Sequence, residues 1–425
     1  MENFIKELSK LISYKTVLSQ GTPEAPFGEE NKNCLKYFLE LAKSFGFETK
    51  NYDNYIGEVI YGEGQEIGII GHLDVVPVGS GWETDPFTLT YKDGYYIGRG
   101  INDDKGPLLM SLYALKKLKD SGIIPKVKFR LICGTNEETG WKDVEYMKKV
   151  TTIPELGFSP DGNFPLTYAE KGMAVVTFKM PKLKNFYGVS GGTVINAVCD
   201  KAYCYALEKG LSEKILYKNG LFLEDGNKIL SIGKSAHASS PSMGVNALNN
   251  LFNYFSEMGE DVKNFVEYVI LDKSKLRNLQ NEQGFVTLSP DLVYEKDDSL
   301  YVEADLRVPA PFSFDEVKKY LDTFNIEYSL YEKHPPFMAD KECEFAKILL
   351  SSYKEVTKDE SAKPLAMGGS TFARVFSKGY SFGLDKLDGE LLNLHQSNEK
   401  MSEKTMKKAM EIYEKAIFGL SKGLK

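Results

Sequence analysis

An α/β domain interrupted by an inserted α+β domain is the class the sequence predicts, and three stretches predict it. Up to about residue 167, short apolar strands alternate with amphipathic helices, which argues for a largely parallel sheet. From about 168 to 335, several strands alternate apolar with polar residues, as half-buried sheets do. Beyond 336 the helix–loop–strand texture returns. The predicted organisation is one discontinuous domain, 1–167 with 336–425, and one insertion, 168–335.

Amphipathic helices are predicted near residues 2–14 and 29–45; in the second, Leu35, Phe38, Leu39 and Ala42 share a face. Apolar strands follow near 56–61 and 66–71. The stretch "GPLLMSLYALKKLKDSG" reads as a helix, with Pro107 in its first turn and Gly122 just past its end. "KVKFRLICGT" is a strand, "WKDVEYMKKV" a short helix, and "LGFSPDG" the end of another strand. In the insertion, "GMAVVTFKM", "KILSIGKSAHAS" and "SLYVEADLRVPA" read as strands among helices such as "GVNALNNLFNYFSEMG". "CEFAKILLSSYKEVT", "GYSFGL" and a helix after "NEKMSEK" complete the first domain.

The chain has 425 residues, 42% hydrophobic and 27% charged, an ordinary globular balance. Its net charge of -7 and the lack of a long basic run argue against nucleic acid or an anionic membrane as partner. The first residues lack the apolar core of a signal peptide, and no apolar run is long enough to span a bilayer. The five cysteines contain no Cys-x-x-Cys pair, which points to reduced thiols, a cytoplasmic setting and no thiolate zinc site. Any imidazole ligand must come from His72, His237, His334 or His395.

Five segments concentrate acidic or imidazole groups, most of them where a strand gives way to a loop. They are "GHLD" (His72, Asp74), "GRGINDDKGP" (Asp103, Asp104), "GTNEETG" (Glu137, Glu138), "SPDG" (Asp161) and "LNLHQSNE" (His395). The carboxyl ends of parallel strands line one rim, where sites form. Carboxylates gathered there repel one another unless a cation neutralises them. Two imidazoles with several carboxylates suit zinc or manganese better than calcium. Each segment also has an ordinary reading: a turn for Ser159-Pro160-Asp161-Gly162, helix N-terminal charge for Asp103-Asp104, a solvated pair for Glu137-Glu138. Their conjunction at strand ends favours a site. On a strand, His72 and Asp74 would also share one face.

The chain resembles the di-zinc metallopeptidases that include aminoacylase, carboxypeptidase G and the bacterial dipeptidases, and within them the PepV-type dipeptidases. "GFSPDGNFPLTYAEKG", "GKSAHASSP", "DLRVP", "GGSTFAR" and "LNLHQSNEKM" carry the resemblance. It implies a catalytic domain with a lid domain inserted, and two divalent ions, zinc first and manganese or cobalt as alternatives. His72, Asp103 and Asp161 would hold one ion, and Asp103, Glu138 and His395 the other. Asp74 would orient the His72 ring. Glu137 would be the general base towards a water bridging the ions, and His237 would stabilise the oxyanion. Asn196, Arg307, Gly368 and Gly369 would contact substrate, Arg307 through its carboxylate. A cis peptide between Asp103 and Asp104 is also implied.

The implied activity is hydrolysis of unblocked dipeptides by a cytoplasmic monomer acting on a small peptide. The alternatives are a deacylase of N-acyl amino acids on the same fold and an inactive peptide-binding relative. A two-metal phosphoesterase would want extra cations, for which the motif segments offer Arg99 and Lys105.

Overall fold

The structure, a computed structural model, describes residues 1–207, 213–385 and 387–424. It divides into two compact units: Met1–Tyr168 with Ala339–Leu365 and Thr371–Lys425, and Ala169–Met338 with Ala366–Ser370. The short piece 366–370 thus lies with the second unit, whereas the sequence reading leaves it with the first.

The first unit is built on a mixed sheet. Its strands run in the order Glu48–Tyr52, Ile56–Tyr61, Val127–Gly134, Gln65–His72, Leu156–Ser159, Lys378–Ser381 and the start of Thr167–Glu170. The four from Val127–Gly134 to Lys378–Ser381 are parallel, and antiparallel strands flank them. The parallel strands are buried on both faces, which is why they read as continuous apolar runs.

Helices cover the sheet for reasons visible in their spacing. In Glu2–Ser13, Phe4, Leu8, Leu11 and Ile12 form one buried stripe. Beyond this helix, the ammonium of fully buried Lys105 donates to the carbonyls of Leu11 and Tyr14, at 3.0 and 2.8 Å. That pairing is what allows a lysine into the core, and it satisfies carbonyls left over at a helix end. Helix Lys105–Asp120 is buried nearly all round, as befits one packed between layers.

The second unit holds an eight-stranded sheet in the order Leu221–Glu224, Lys228–Ile232, Lys201–Ala206, Phe186–Gly191, Thr287–Lys296, Ser299–Val308, Gly172–Pro181 and Glu327–His334. All its pairings are antiparallel. The strand Gly172–Pro181 alternates buried and half-buried residues, the period the sequence shows. Helices Ala247–Glu257 and Phe314–Leu321 close its core, with Phe178, Phe252, Phe265 and Phe324 fully buried. Ser313 and Glu316 cap the latter helix reciprocally.

Candidate metal centre

Three neighbouring parallel strands end on the same edge of the first sheet. His72 is the last residue of its strand and pairs with Gly134, the last of the next. Glu137 and Glu138 follow Gly134, and Asp161 follows the strand ending at Ser159. Asp103 lies on the loop before helix Lys105–Asp120, and His395 on the loop before Lys400–Ser402. Antiparallel pairing of Lys400 with Ile97 draws these last two loops together.

The carboxylate of Asp103 stands between two imidazoles. Its Oδ1 is 3.0 Å from Nε2 of His72, and its Oδ2 is 2.8 Å from Nε2 of His395. Glu138 Oε1 lies 3.3 Å from the same His395 nitrogen, and Asp161 Oδ2 is 3.9 Å from Nε2 of His72. The ligand atoms of His72, Asp103 and Glu138 all fall within 4.8 Å of one another. The five residues expected to bind cations are therefore gathered in one place. His72 is buried, Asp103, Glu138 and Asp161 are largely so, and the His395 side chain is half-exposed.

These residues fit a metal on their own chemistry. Nδ1 of His72 is 3.0 Å from the main-chain carbonyl of Asp74, which can only accept, so Nδ1 carries the proton. A neutral ring then turns its Nε2 lone pair towards an oxygen lone pair of Asp103. Only a proton or a cation between them makes that arrangement favourable. Oε1 of Glu138 is buried and makes no hydrogen bond. Two atoms about 2.1 Å from one tetrahedral zinc lie roughly 3.4 Å apart, close to the separations found here.

The electrostatics agree. Burial pushes the Asp161 carboxyl up to about 7, and the Asp103 charge adds to it. Burial, then the neighbouring charge of Asp103, raises Glu138. Burial, with Asp161, Glu138 and Asp74 nearby, pushes Glu137 well above the usual carboxylate range. Burial opposes the charge on His72, yet the hydrogen-bonded Asp103 carboxylate and the nearby Asp74 charge raise it well above its ordinary value. Such a cluster holds protons when it lacks cations.

A second set of buried carboxylates fixes the backbone that carries these groups. Asp74 accepts the N–H groups of Glu137 and Glu138, both at 3.1 Å. Asp143 accepts those of Thr135 and Asn136, at 2.7 and 3.0 Å. Four consecutive amides are thus held by two side chains, which sets where Glu137 and Glu138 project. Asp104 accepts the His72 N–H at 3.1 Å, and its Oδ2 fills the space a Cβ on Gly71 would need, which accounts for that glycine. The Asp103–Asp104 peptide is cis, as the resemblance implies.

Asp74 differs from the sequence expectation in how it acts. Its strand ends at His72, so the two-residue alternation does not extend to it. The His72 ring meets the Asp74 carbonyl, and the carboxylate, 3.5 Å from Nδ1, serves the Glu137–Glu138 backbone instead. The sequence reading assigns no role to Asp143, or to Glu399 at the end of the His395 segment.

In the second unit, Ala238 N–H bonds the Asn196 carbonyl at 3.0 Å, and His237 bridges Ala197, so Asn196 and His237 are neighbours. Nδ1 of His237 accepts the Ser239 N–H at 3.1 Å, which places the ring proton on Nε2. Arg307 is buried, with Nε and Nη2 on Asp305 at 2.6 and 2.8 Å and Nη1 on the Gly368 carbonyl at 2.9 Å. Three of its five donors are therefore taken, two by Asp305 and one by the Gly368 carbonyl. The Gly368 backbone passes so near Ser239 that a Cβ there would lie 2.7 Å from the Ser239 Cβ. Gly369 follows it on the same short segment. Of the cations a phosphoesterase would want, Arg99 gives its Nη1 to Glu399, and Lys105 is bound to the Leu11 and Tyr14 carbonyls.

Comparison with known proteins gives the family. Residues 68–418 match Peptidase family M20/M25/M40. A Staphylococcus aureus (strain MRSA252) protein named "Putative dipeptidase" is 30% identical over 99% of this chain and 97% of its own length. One of the same name from Staphylococcus epidermidis is 32% identical over 98% of this chain and 96% of its length. Among solved structures, the di-peptidase Dug1p from Saccharomyces cerevisiae superposes with a TM-score of 0.60 at 16% identity, covering 99% of this chain and 96% of that one. That likeness speaks for the fold, an α/β domain with an inserted second domain. By the family match and these full-length relatives, the chain belongs to peptidase family M20/M25/M40 and is a peptide hydrolase.

Proposed function

We propose that this hydrolase cleaves unblocked dipeptides, using two divalent cations, zinc before manganese or cobalt. The observation that carries the reading is the Asp103 carboxylate, whose two oxygens face two different imidazoles at 3.0 and 2.8 Å. A carboxylate so placed suits one bridging ligand shared by two ligand sets, His72 with Asp161 and Glu138 with His395. The names of the staphylococcal relatives support the substrate class.

Bound divalent cations would supply an acidified water and polarise the scissile carbonyl. The chain's own groups do the rest. Glu137, held by Asp74 through its main-chain N–H, takes a proton from the attacking water and delivers it to the departing amine. His237 donates from Nε2 to the developing oxyanion. Arg307, Asn196 and the Gly368–Gly369 backbone receive the substrate's carboxyl end. The proposed setting is a cytoplasmic monomer. All five cysteines are free thiols, and among the described residues no helix is long and apolar enough to cross a membrane.

The test is amino-acid release by zinc- or manganese-loaded protein from unblocked dipeptides beside matching N-acetyl amino acids, with Glu137→Ala as control. Cleavage of dipeptides alone, lost in the variant, is the expected result. Preference for the acetylated set would overturn the substrate class and favour the deacylase alternative.

A further inference from the structure

Glu399 is fully buried, four residues after His395 and far in sequence from the loop it serves. Its carboxylate accepts four donors. Oε2 takes Arg99 Nη1 at 2.9 Å and Gly100 N–H at 3.1 Å; Oε1 takes Asn102 N–H at 2.8 Å and Asp103 N–H at 3.3 Å. Its own carbonyl accepts the Gly98 N–H at 3.0 Å. Asn102 adds a second fastening, with Nδ2 on the carbonyls of Lys400 at 2.9 Å and Leu392 at 3.3 Å.

We propose that Glu399 is a positioning residue, locking the Asp103 loop to the His395 loop and so setting the affinity of the centre for its cations. The inference rests on the metal reading above. Its physical basis is that Asp103 and His395 lie on irregular segments, which have no ladder or helix to fix them. The four bonds at Glu399 replace that missing regular structure. A carboxylate is the group that can do this, because it accepts on both oxygens and donates from neither. A glutamine would present an NH2 to two of the four donors whichever way its amide turned. Metal sites commonly depend on such supporting hydrogen bonds, and losing one costs about 10–100-fold in affinity.

The experiment is a zinc titration of the metal-free full-length chain against a chromophoric chelator, for wild type and Glu399→Gln, followed by kinetics at saturating zinc. The expected result is zinc binding weakened about 10–100-fold, with kcat recovering to within about threefold of wild type in excess zinc and KM unchanged. Recovery by excess metal is a result that a general loss of folded structure would not give. Unchanged zinc affinity in a folded Glu399→Gln protein would overturn the proposal, as would a kcat deficit that saturating zinc leaves in place. If Glu399→Gln does not fold, Asn102→Ala decides. It leaves no buried charge unpaired, and weakened zinc binding is expected, while wild-type affinity would overturn the proposal. A wild-type chain that takes up no zinc, manganese or cobalt would overturn the metal reading itself, a distinguishable failure.

Discussion

The Asp74 carboxylate accepts the main-chain N–H of Glu137 at 3.1 Å, while the Asp74 carbonyl lies 3.0 Å from the His72 ring. One residue thereby sets the tautomer of a proposed metal ligand and the position of the proposed base. Replacing the side chain removes only the second task. Asp74→Asn can still accept one of the two amides, and its NH2 would oppose the other. The expected outcome is a fall in kcat of about 10–100-fold, with KM within about threefold. Steady-state kinetics on a dipeptide check it, and a change confined to KM would count against it.

Glu137→Gln keeps the shape of the side chain and removes its basicity. The variant is expected to lose about 10²–10⁴-fold in kcat while binding the wild-type amount of zinc. Metal analysis alongside the rate measurement separates a lost proton carrier from a damaged centre.

His237 and Ser239 make a paired test. His237→Ala is expected to cost about 10²–10³-fold in kcat. Ser239→Ala removes a hydroxyl 2.7 Å from Nδ1 but keeps the main-chain N–H that fixes the tautomer. Its effect is expected to stay below about tenfold, the size of one ordinary hydrogen bond. A Ser239→Ala loss as large as that of His237→Ala would contradict the assigned tautomer.

Metal removal changes how stability depends on pH. Burial raises Asp143 and Asp161 from ordinary carboxylate values to about 7. The hydrogen-bonded Asp103 carboxylate and the nearby Glu138 charge raise His395 from 6.5 to about 11. Each binds protons more tightly folded than unfolded, so its contribution is present at low pH and lost as pH rises through the folded value. Asp103 has the opposite shift, held down by His395 and His72 against burial, and acts only below its unfolded value of 3.8. The metal-free chain is therefore expected to melt at least about 3 °C lower at about pH 8 than at about pH 5.5. The zinc-loaded chain, whose cations replace the protons, is expected to show little such loss. Calorimetry with and without chelator checks the sign.

The proposed ligand residues were legible as a cluster because most combine an unusual side chain with a strand end or a Gly-rich turn. Period-two alternation likewise announced the strand Gly172–Pro181, and continuous apolar runs announced the buried parallel strands. What stayed hidden is what acts across sequence distance. Glu399 serves amides 296 to 299 residues away, and nothing local marks a glutamate that will be buried. Asp143 sits in the first turn of a short helix, where an aspartate is expected anyway, and its real partners are the Thr135 and Asn136 amides. Asp74 was found for its spacing, yet the strand ends before it, so its carboxylate turns to another loop.

The shared role of Asp103 is tested most directly by counting metal. Zinc bound per chain, measured by elemental analysis after equilibrium dialysis, is predicted to be about two in the wild type. Asp161→Ala and His395→Ala should each retain about one, and Asp103→Asn close to none. A wild-type chain saturating at a single zinc, or Asp103→Asn retaining a full site, would contradict the account.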